Sequence, residues 1–488
     1  MANAHHYLIV FIGFVVLMIF VGIWVSKRVH TGEDFLLGGR GLNIPLLLGT
    51  TFATLVGTGS SMGAVKFGFE NGWAGALYGI GGSIGMFLMI GLFADVRKYN
   101  FMTFSEELSF YYGANKWVKG FTSILLFVAS IGWLGAHILG GSLYLAWITG
   151  IELFWAKVII SFGFAIYTLI GGYLAVVYTD VIQGTILFVG FVVLTVLTLG
   201  KIGGISAFAQ KLPEGMTSFL GVGQMGVIPA LSLALVIAVG VLATPSYRHR
   251  IYSSANTNVV KKGFFYSGIL FFIFSFFPAI VGMSAHLLNP GLDSAYAFPY
   301  LATEIFPFWI GALILGAGLS ATMSSGDSDA ITAVTILLRD VYQLFTGKLP
   351  SQDNMVFYSR VALFATVLCA FIFSVGATSI IDYISQFIST VMSGLLVAAL
   401  LGKFWARATW QGAIASLFGG SLTSFAILVN DSLLQFWGNP IIPSLVGAFA
   451  AGIFVSLITP RQGITPEEAL RKLEKERAMV DVGTKSAS

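Results

Sequence analysis

Charge is what this chain has least of. Only 10% of its 488 residues are Asp, Glu, Lys or Arg, against roughly 25% in an average soluble domain. That excludes a solvated disordered chain and a nucleic-acid-binding surface. Cysteine is nearly missing as well. The single Cys369 lies in the apolar run 361–373, so no disulfide forms within one chain, and a lipid-facing or core thiol is expected. The alternating pattern of a membrane β-barrel is absent, as are metal-ligand spacings, a nucleophile paired with a base, and any appended catalytic domain. An enzyme is therefore not expected.

What is present is apolar length. Hydrophobic residues make up 56% of the chain and aromatics 14%, with a mean hydropathy of +0.87. A bilayer crossing takes about 20 apolar residues. Charge-poor stretches fall at 7–26, 44–68, 73–94, 120–150, 154–174, 180–200, 226–247, 263–287, 307–338, 358–377, 382–402, 409–429 and 438–459. Water is not there to satisfy the backbone in lipid, so these must be helices. The expected fold is an all-α polytopic membrane protein with thirteen transmembrane helices.

An odd number of crossings puts the termini on opposite sides. Of the 26 Lys and Arg residues, 22 fall on the side of the C-terminus, including Arg248 and Arg250 read as loop charges; Lys66, Lys157, Lys201 and Lys211 fall on the other. The positive-inside rule then makes the C-terminus cytoplasmic and the N-terminus external, in a cell (inner or plasma) membrane. The first crossing lacks a basic leader and a cleavage pattern and is read as retained. The tail 463–488 begins with Thr465 as a cap and Pro466 at the first helical position, and is expected to be a short solvated helix following a transmembrane domain over 1–462.

Helix breaks at membrane depth free carbonyls that can hold a dehydrated solute or ion. Two candidates stand five crossings apart: residues 49–61, rich in Gly, Thr and Ser, and Ala243-Thr244-Pro245-Ser246. The alternative is that small residues there only permit close helix packing. The ninth crossing carries Ala321-Thr322-Met323-Ser324-Ser325-Gly326-Asp327-Ser328-Asp329. At about 100° per residue Ala321, Ser324, Ser325 and Ser328 share a face. An unpaired Asp at a helix centre costs about 2.5–3.5 kcal/mol, so buried acids pair or bind ions. Hydroxyls and carbonyls with at most one or two carboxylates suit a monovalent cation. The alternative is that the serines bond back to their own helix and the acids sit near water. His137 is read as a substrate or proton-binding group or a packing histidine, Trp133 and Tyr78 as an aromatic wall or packing, and Glu304 and Asp382 as solvated.

Taken together, Gly38-Gly39-Arg40, Gly171-Gly172-Tyr173, Tyr178-Thr179-Asp180-Val181-Ile182-Gln183, the segment 321–328 and Arg339-Asp340-Val341-Tyr342 resemble the sodium/solute symporter family. The resemblance implies a LeuT-type five-plus-five inverted repeat with an extra N-terminal helix, the first repeat over 44–200 and the second over 226–402. It implies a first sodium site at Ala53, Val56, Ala321, Ser324 and Ser325, and a second at Asp180, Ser324, Asp327 and Ser328. Asp327 departs from the hydroxyl of the best-matched two-sodium pattern. The choline branch is similar at Ser-Ser-x-Asp-Ser and at Trp133 but has tryptophans where this chain has Leu55 and Thr244; sialic-acid members carry Arg where Trp133 stands. The expected function is sodium-coupled import of a small polar organic solute across the lipid bilayer by alternating access. Gly57, Ser60, Tyr78, Trp133, His137 and Thr244 are the expected solute contacts, and Na+ is the coupling ion. Because no Arg or Lys is expected in that cavity, a neutral, zwitterionic or cationic solute is favoured over an anion. A proton-coupled transporter of the same fold and a gated channel are the alternatives.

Overall fold

A computed structural model describes residues 4–27, 32–348, 352–461 and 463–485. Residue 462, where the transmembrane domain was set to end, and 486–488 of the tail lie outside them. The described residues are helical with no strand, apart from one isolated bridge between Leu42 and Ser254. The helices used below are α1 Ala4–Ser26, α2 Ile44–Leu55, α3 Ala64–Asn71, α4 Leu77–Phe93, α5 Phe104–Tyr111, α6 Lys116–Thr149, α7 Leu153–Ile202, α8 Val227–Ala243, α9 Pro245–Ser253, α10 Thr257–Phe274, α11 Phe276–Leu288, α12 Phe308–Ile336, α13 Gln352–Ser374, α14 Ile380–Phe387, α15 Ser393–Phe404, α16 Trp410–Leu428, α17 Ile441–Ile458 and α18 Pro466–Lys485.

Polarity is arranged for lipid. Trp24, Phe162, Phe425 and Phe454 stand exposed, whereas Asp180, Arg248, Arg250, Asp327 and Ser328 are fully buried. In water such an apolar surface would aggregate; in a bilayer it is the solvated face. Ten helices among the described residues are long and apolar enough to cross a membrane, and α8 with α9, bent by 44°, makes an eleventh. Ile44–Leu55 and Leu153–Gly163 are shorter apolar helices. The protein is thus a multi-pass membrane protein.

Three features differ from the sequence reading, two of them helix boundaries. The interval 174–180, expected between two crossings, is helical inside α7, and the break comes earlier at Gly172 (φ +60°, with a virtual Cβ only 2.7 Å from Phe35). Only glycine takes that conformation without strain. The crossing expected to end at 247 continues through α9 to Ser253, so Arg248 and Arg250 are interior charges and not loop charges. Third, the tail helix is not simply solvated. Its capping box is present, with Thr465 Oγ1 accepting from Glu468 N at 3.2 Å and Glu468 Oε2 accepting from Thr465 N at 3.0 Å. However, Ala469 and Leu473 are buried, Arg477 pairs with Glu106 of α5 at 2.6 Å, and Glu476 pairs with Lys119 of α6 at 2.7 Å.

Two further charges are structural. Lys157, on α7, donates to the carbonyls of Ser374, Val375 and Ala377 at 2.7–2.9 Å, so a cation closes the C-terminal end of α13, where the helix dipole is negative. Arg248 pairs with Glu107 at 2.9 Å and lies over the rings of Phe93 (3.4 Å) and Phe104 (4.5 Å).

Candidate substrate and ion site

The site begins with α2 ending too early. Its last regular bond runs from Val56 N to Phe52 O, the next residues are not helical, and a π-turn over Gly59–Gly63 leads into α3. A helix end leaves its last carbonyls without partners, and here hydroxyls supply them. Ser60 Oγ donates to Leu55 O at 2.7 Å and Ser61 Oγ to Gly57 O at 2.7 Å. From α12, Ser324 Oγ donates to Ala53 O at 3.0 Å and Ser325 Oγ to Thr54 O at 3.1 Å. The face anticipated on α12 therefore meets the broken helix. Gly57 makes this approach feasible, because a Cβ there would stand 2.6 Å from Ser325 Oγ. Val56 and Ala321 are fully buried nearby, and no described hydrogen bond between α2 and α12 uses them.

Beside this seam is a narrow cavity of about 30 Å3, with Gly57, Tyr78, Trp133, His137, Thr244 and Asp329 in its wall. Pockets that enclose organic ligands measure about 300–1,000 Å3, so this conformation is a contracted one. Five of the six expected solute contacts are on the wall. The exception is Ser60, whose hydroxyl is turned back to Leu55 O by the early end of α2. Thr244 also spends its hydroxyl on Gly240 O at 2.5 Å. His137 is held at both ring nitrogens, by Thr58 Oγ1 at 2.9 Å and by Asp329 Oδ2 at 3.2 Å. Two buried donors of the wall, Trp133 Nε1 and Ser246 Oγ, have no hydrogen-bond partner. Asp329 and Ser246 were not among the expected solute contacts; the four-residue spacing from Ser325 to Asp329, which puts both on one helix face, was the available signal for the first, and the Pro245 break for the second.

The residues expected to hold a second cation divide. Asp180 Oδ2 and Ser328 Oγ meet at 3.3 Å, whereas Ser324 Oγ is shared between Ser320 O of its own helix at 2.7 Å and Ala53 O at 3.0 Å. Asp327 is fully buried on α12. Against both Asp180 and Ser328 lies a side chain that sequence reasoning had placed in a loop: Arg250, with Nη2 2.8 Å from Ser328 Oγ and 3.4 Å from Asp180 Oδ2.

A broken helix met by paired hydroxyls beside a cavity is a carrier's arrangement, and comparison with known proteins agrees. The sodium:solute symporter family model matches residues 35–420. The chain belongs to the sodium:solute symporter family. Membership points to solute transport with sodium as the coupling ion, and away from an enzyme. The symporter is 26% identical to the sodium/pantothenate symporter of Haemophilus influenzae over 86% of this chain and 89% of that one. It is 25% identical to the high-affinity proline transporter PutP of Bacillus subtilis, over 92% and 98%, and 24% identical to sodium/glucose cotransporter 1 of Oryctolagus cuniculus, over 88% and 72%. Among solved structures its fold is similar to that of a Na+-coupled sialic acid symporter (TM-score 0.79, 20% identity, 94% of this chain and 99% of that one). It is also similar to Mhp1, a nucleobase-cation-symport-1 family transporter in a closed conformation (TM-score 0.61, 12% identity, 90% and 98%).

Proposed function

We propose that this symporter imports a small polar organic solute by alternating access, driven by sodium bound at Ala53, Val56, Ala321, Ser324 and Ser325. The carrying observation is the seam at which Ser324 and Ser325 reach the carbonyls that the end of α2 leaves open. A sodium ion entering there would take those oxygens as ligands in place of the two hydrogen bonds and lock α2 to α12, completing one wall of the cavity. That is how ion binding is made to favour a solute-competent conformation: the ion must interact differently with the two states.

The solute would lie between the breaks, against Gly57, Tyr78, Trp133, His137 and Thr244. Asp329 is the carboxylate of that wall and no Lys or Arg lines it, while Trp133 Nε1 and Ser246 Oγ offer donors. A neutral, zwitterionic or cationic solute that presents a hydrogen-bond acceptor to these donors and a donating or cationic group to Asp329 matches this set; a free anion would face Asp329 without a counter-charge. The topology that goes with this reading has thirteen crossings, if α2 and α3 form one crossing, α7 reverses at Gly172, and α8 with α9 forms another. The repeats then span 44–200 and 226–402, in a domain over 1–462 whose N-terminus is external and whose tail, 463–488, is cytoplasmic.

The test is a thermal-shift screen of the purified protein in sodium against potassium, with amino acids, amines, carboxylates, sugars and vitamins. Stabilisation by one neutral or amine-bearing solute, enhanced by sodium, is expected. Stabilisation by simple carboxylates alone would overturn the solute class, and equal behaviour in both salts would overturn sodium coupling. Proton coupling is a second reading that the His137–Asp329 contact favours. It predicts solute accumulation driven by a pH gradient in potassium alone.

A further inference from the structure

Beside the sodium seam, about a turn away along α2 and α12, α2, α7, α9 and α12 converge on one guanidinium nitrogen. Nη2 of Arg250 is 2.8 Å from Thr50 Oγ1, 3.2 Å from Thr50 O, 2.5 Å from Thr54 Oγ1, 2.8 Å from Ser328 Oγ and 3.4 Å from Asp180 Oδ2. Nη1 is tied to its own helix through Ser246 O at 3.0 Å. Arg250, Asp180, Thr50 and Ser328 are fully buried, and Thr54 nearly so. A guanidinium Nη carries two hydrogens, so it cannot donate to all these oxygens together. They are better described as a shell of oxygens around a positive charge: hydroxyls, a carbonyl and one carboxylate, the donor set a hard monovalent cation selects. Asp180 Oδ2 is further held by Thr50 Oγ1 at 2.5 Å, which fixes the shell's one negative charge toward the guanidinium.

We propose that Arg250 is a tethered cation that occupies the shell of Thr50, Thr54, Asp180 and Ser328 in place of a second sodium ion, so that this symporter couples to one sodium ion. The inference rests on the sodium-coupled reading above. Two consequences follow from where Arg250 is attached. A mobile cation entering the shell would stand within bonding distance of a buried guanidinium, and like charges repel strongly away from water. Arg250 also lies on α9, just past the break at Thr244, so a movement of α9 would carry the guanidinium with it out of the shell. The resident charge thus holds α2, α7 and α12 to the half-helix that follows the break. No sodium is consumed in making that closure.

Equilibrium binding of radioactive sodium to the purified full-length protein tests this. The wild type should bind one sodium per chain. Arg250→Ala, which empties the shell and leaves Asp180 without its counter-charge, should bind two, and adding guanidinium ion to that variant should return the number to one. Arg250→Lys keeps a cation and should bind one; it serves if Arg250→Ala does not fold. Two sodium ions on the wild type or on Arg250→Lys would overturn the proposal while leaving sodium coupling intact. A folded Arg250→Ala that still binds only one would overturn it too. The same wild-type result of two is what a site built on Asp180 Oδ1 and Gln183, whose polar atoms have no partner, would give. No saturable sodium binding at all would instead defeat the symporter reading on which the inference stands.

Discussion

Replacing Ser324 or Ser325 by alanine removes one oxygen from the proposed sodium site and changes little else. Each hydroxyl spans from α12 to a carbonyl of α2, at 3.0 Å for Ser324 to Ala53 O and 3.1 Å for Ser325 to Thr54 O. A hydrogen bond or ligand to a charged group contributes about 1.5–3 kcal/mol, which is roughly a 10- to 150-fold loss of sodium affinity. The loss can be read as stability without knowing the solute. At a sodium concentration about 100 times the wild-type Kd, binding adds about 2.7 kcal/mol to the folded state; with Kd raised about tenfold the same sodium adds about 1.4 kcal/mol. Sodium against potassium thermal shifts of the purified variants should therefore fall by about half or more. Thr335→Val is the control: its hydroxyl bonds only within α12, to Ile331 O at 2.8 Å, and its sodium response should match the wild type. If Ser324→Ala and Ser325→Ala both keep the full sodium shift while folding normally, the ion does not bind at this seam.

Other outcomes follow from the same geometry. Asp329→Asn keeps the side-chain volume and the contact with His137 but removes the cavity's carboxylate charge, so an amine-bearing solute should bind about tenfold or more weaker, a loss read as a smaller solute-induced thermal shift. Glu107→Ala strands the buried Arg248 between Phe93 and Phe104; breaking such a pair costs about 3–5 kcal/mol, and folded yield in size-exclusion profiles should collapse, with Glu107→Met combined with Arg248→Met recovering part of it. Deleting the chain from residue 466 removes the Arg477–Glu106 and Glu476–Lys119 pairs. These partly exposed pairs contribute little each, so the protein should still fold, with faster amide exchange confined to α5 and the start of α6.

The linear sequence determined the solvent this protein folds in and the positions where its helices fail. A chain with so little charge and such long apolar runs has no stable alternative to membrane helices, because lipid leaves every backbone group to be satisfied internally. The hydroxyls of α12 were legible for a similar reason: residues at three- and four-residue spacing share a face whatever that face meets. Which partner each face meets was decided by tertiary structure alone. Arg250 is separated from Asp180 by 70 residues and from Ser328 by 78, and as a sequence symbol it is indistinguishable from a loop arginine. Only the extension of α9 beyond its proline, packed among α2, α7 and α12, turns it into a buried charge. Ser60 shows the reverse. It has the composition of a ligand, but α2 ends early enough that its hydroxyl must satisfy Leu55 O. Asp329 and the tail helix belong with Arg250: a periodic pattern states that a side chain is polar on a given face, and the cost of burying it unpaired selects its partner only once the neighbouring helices are in place.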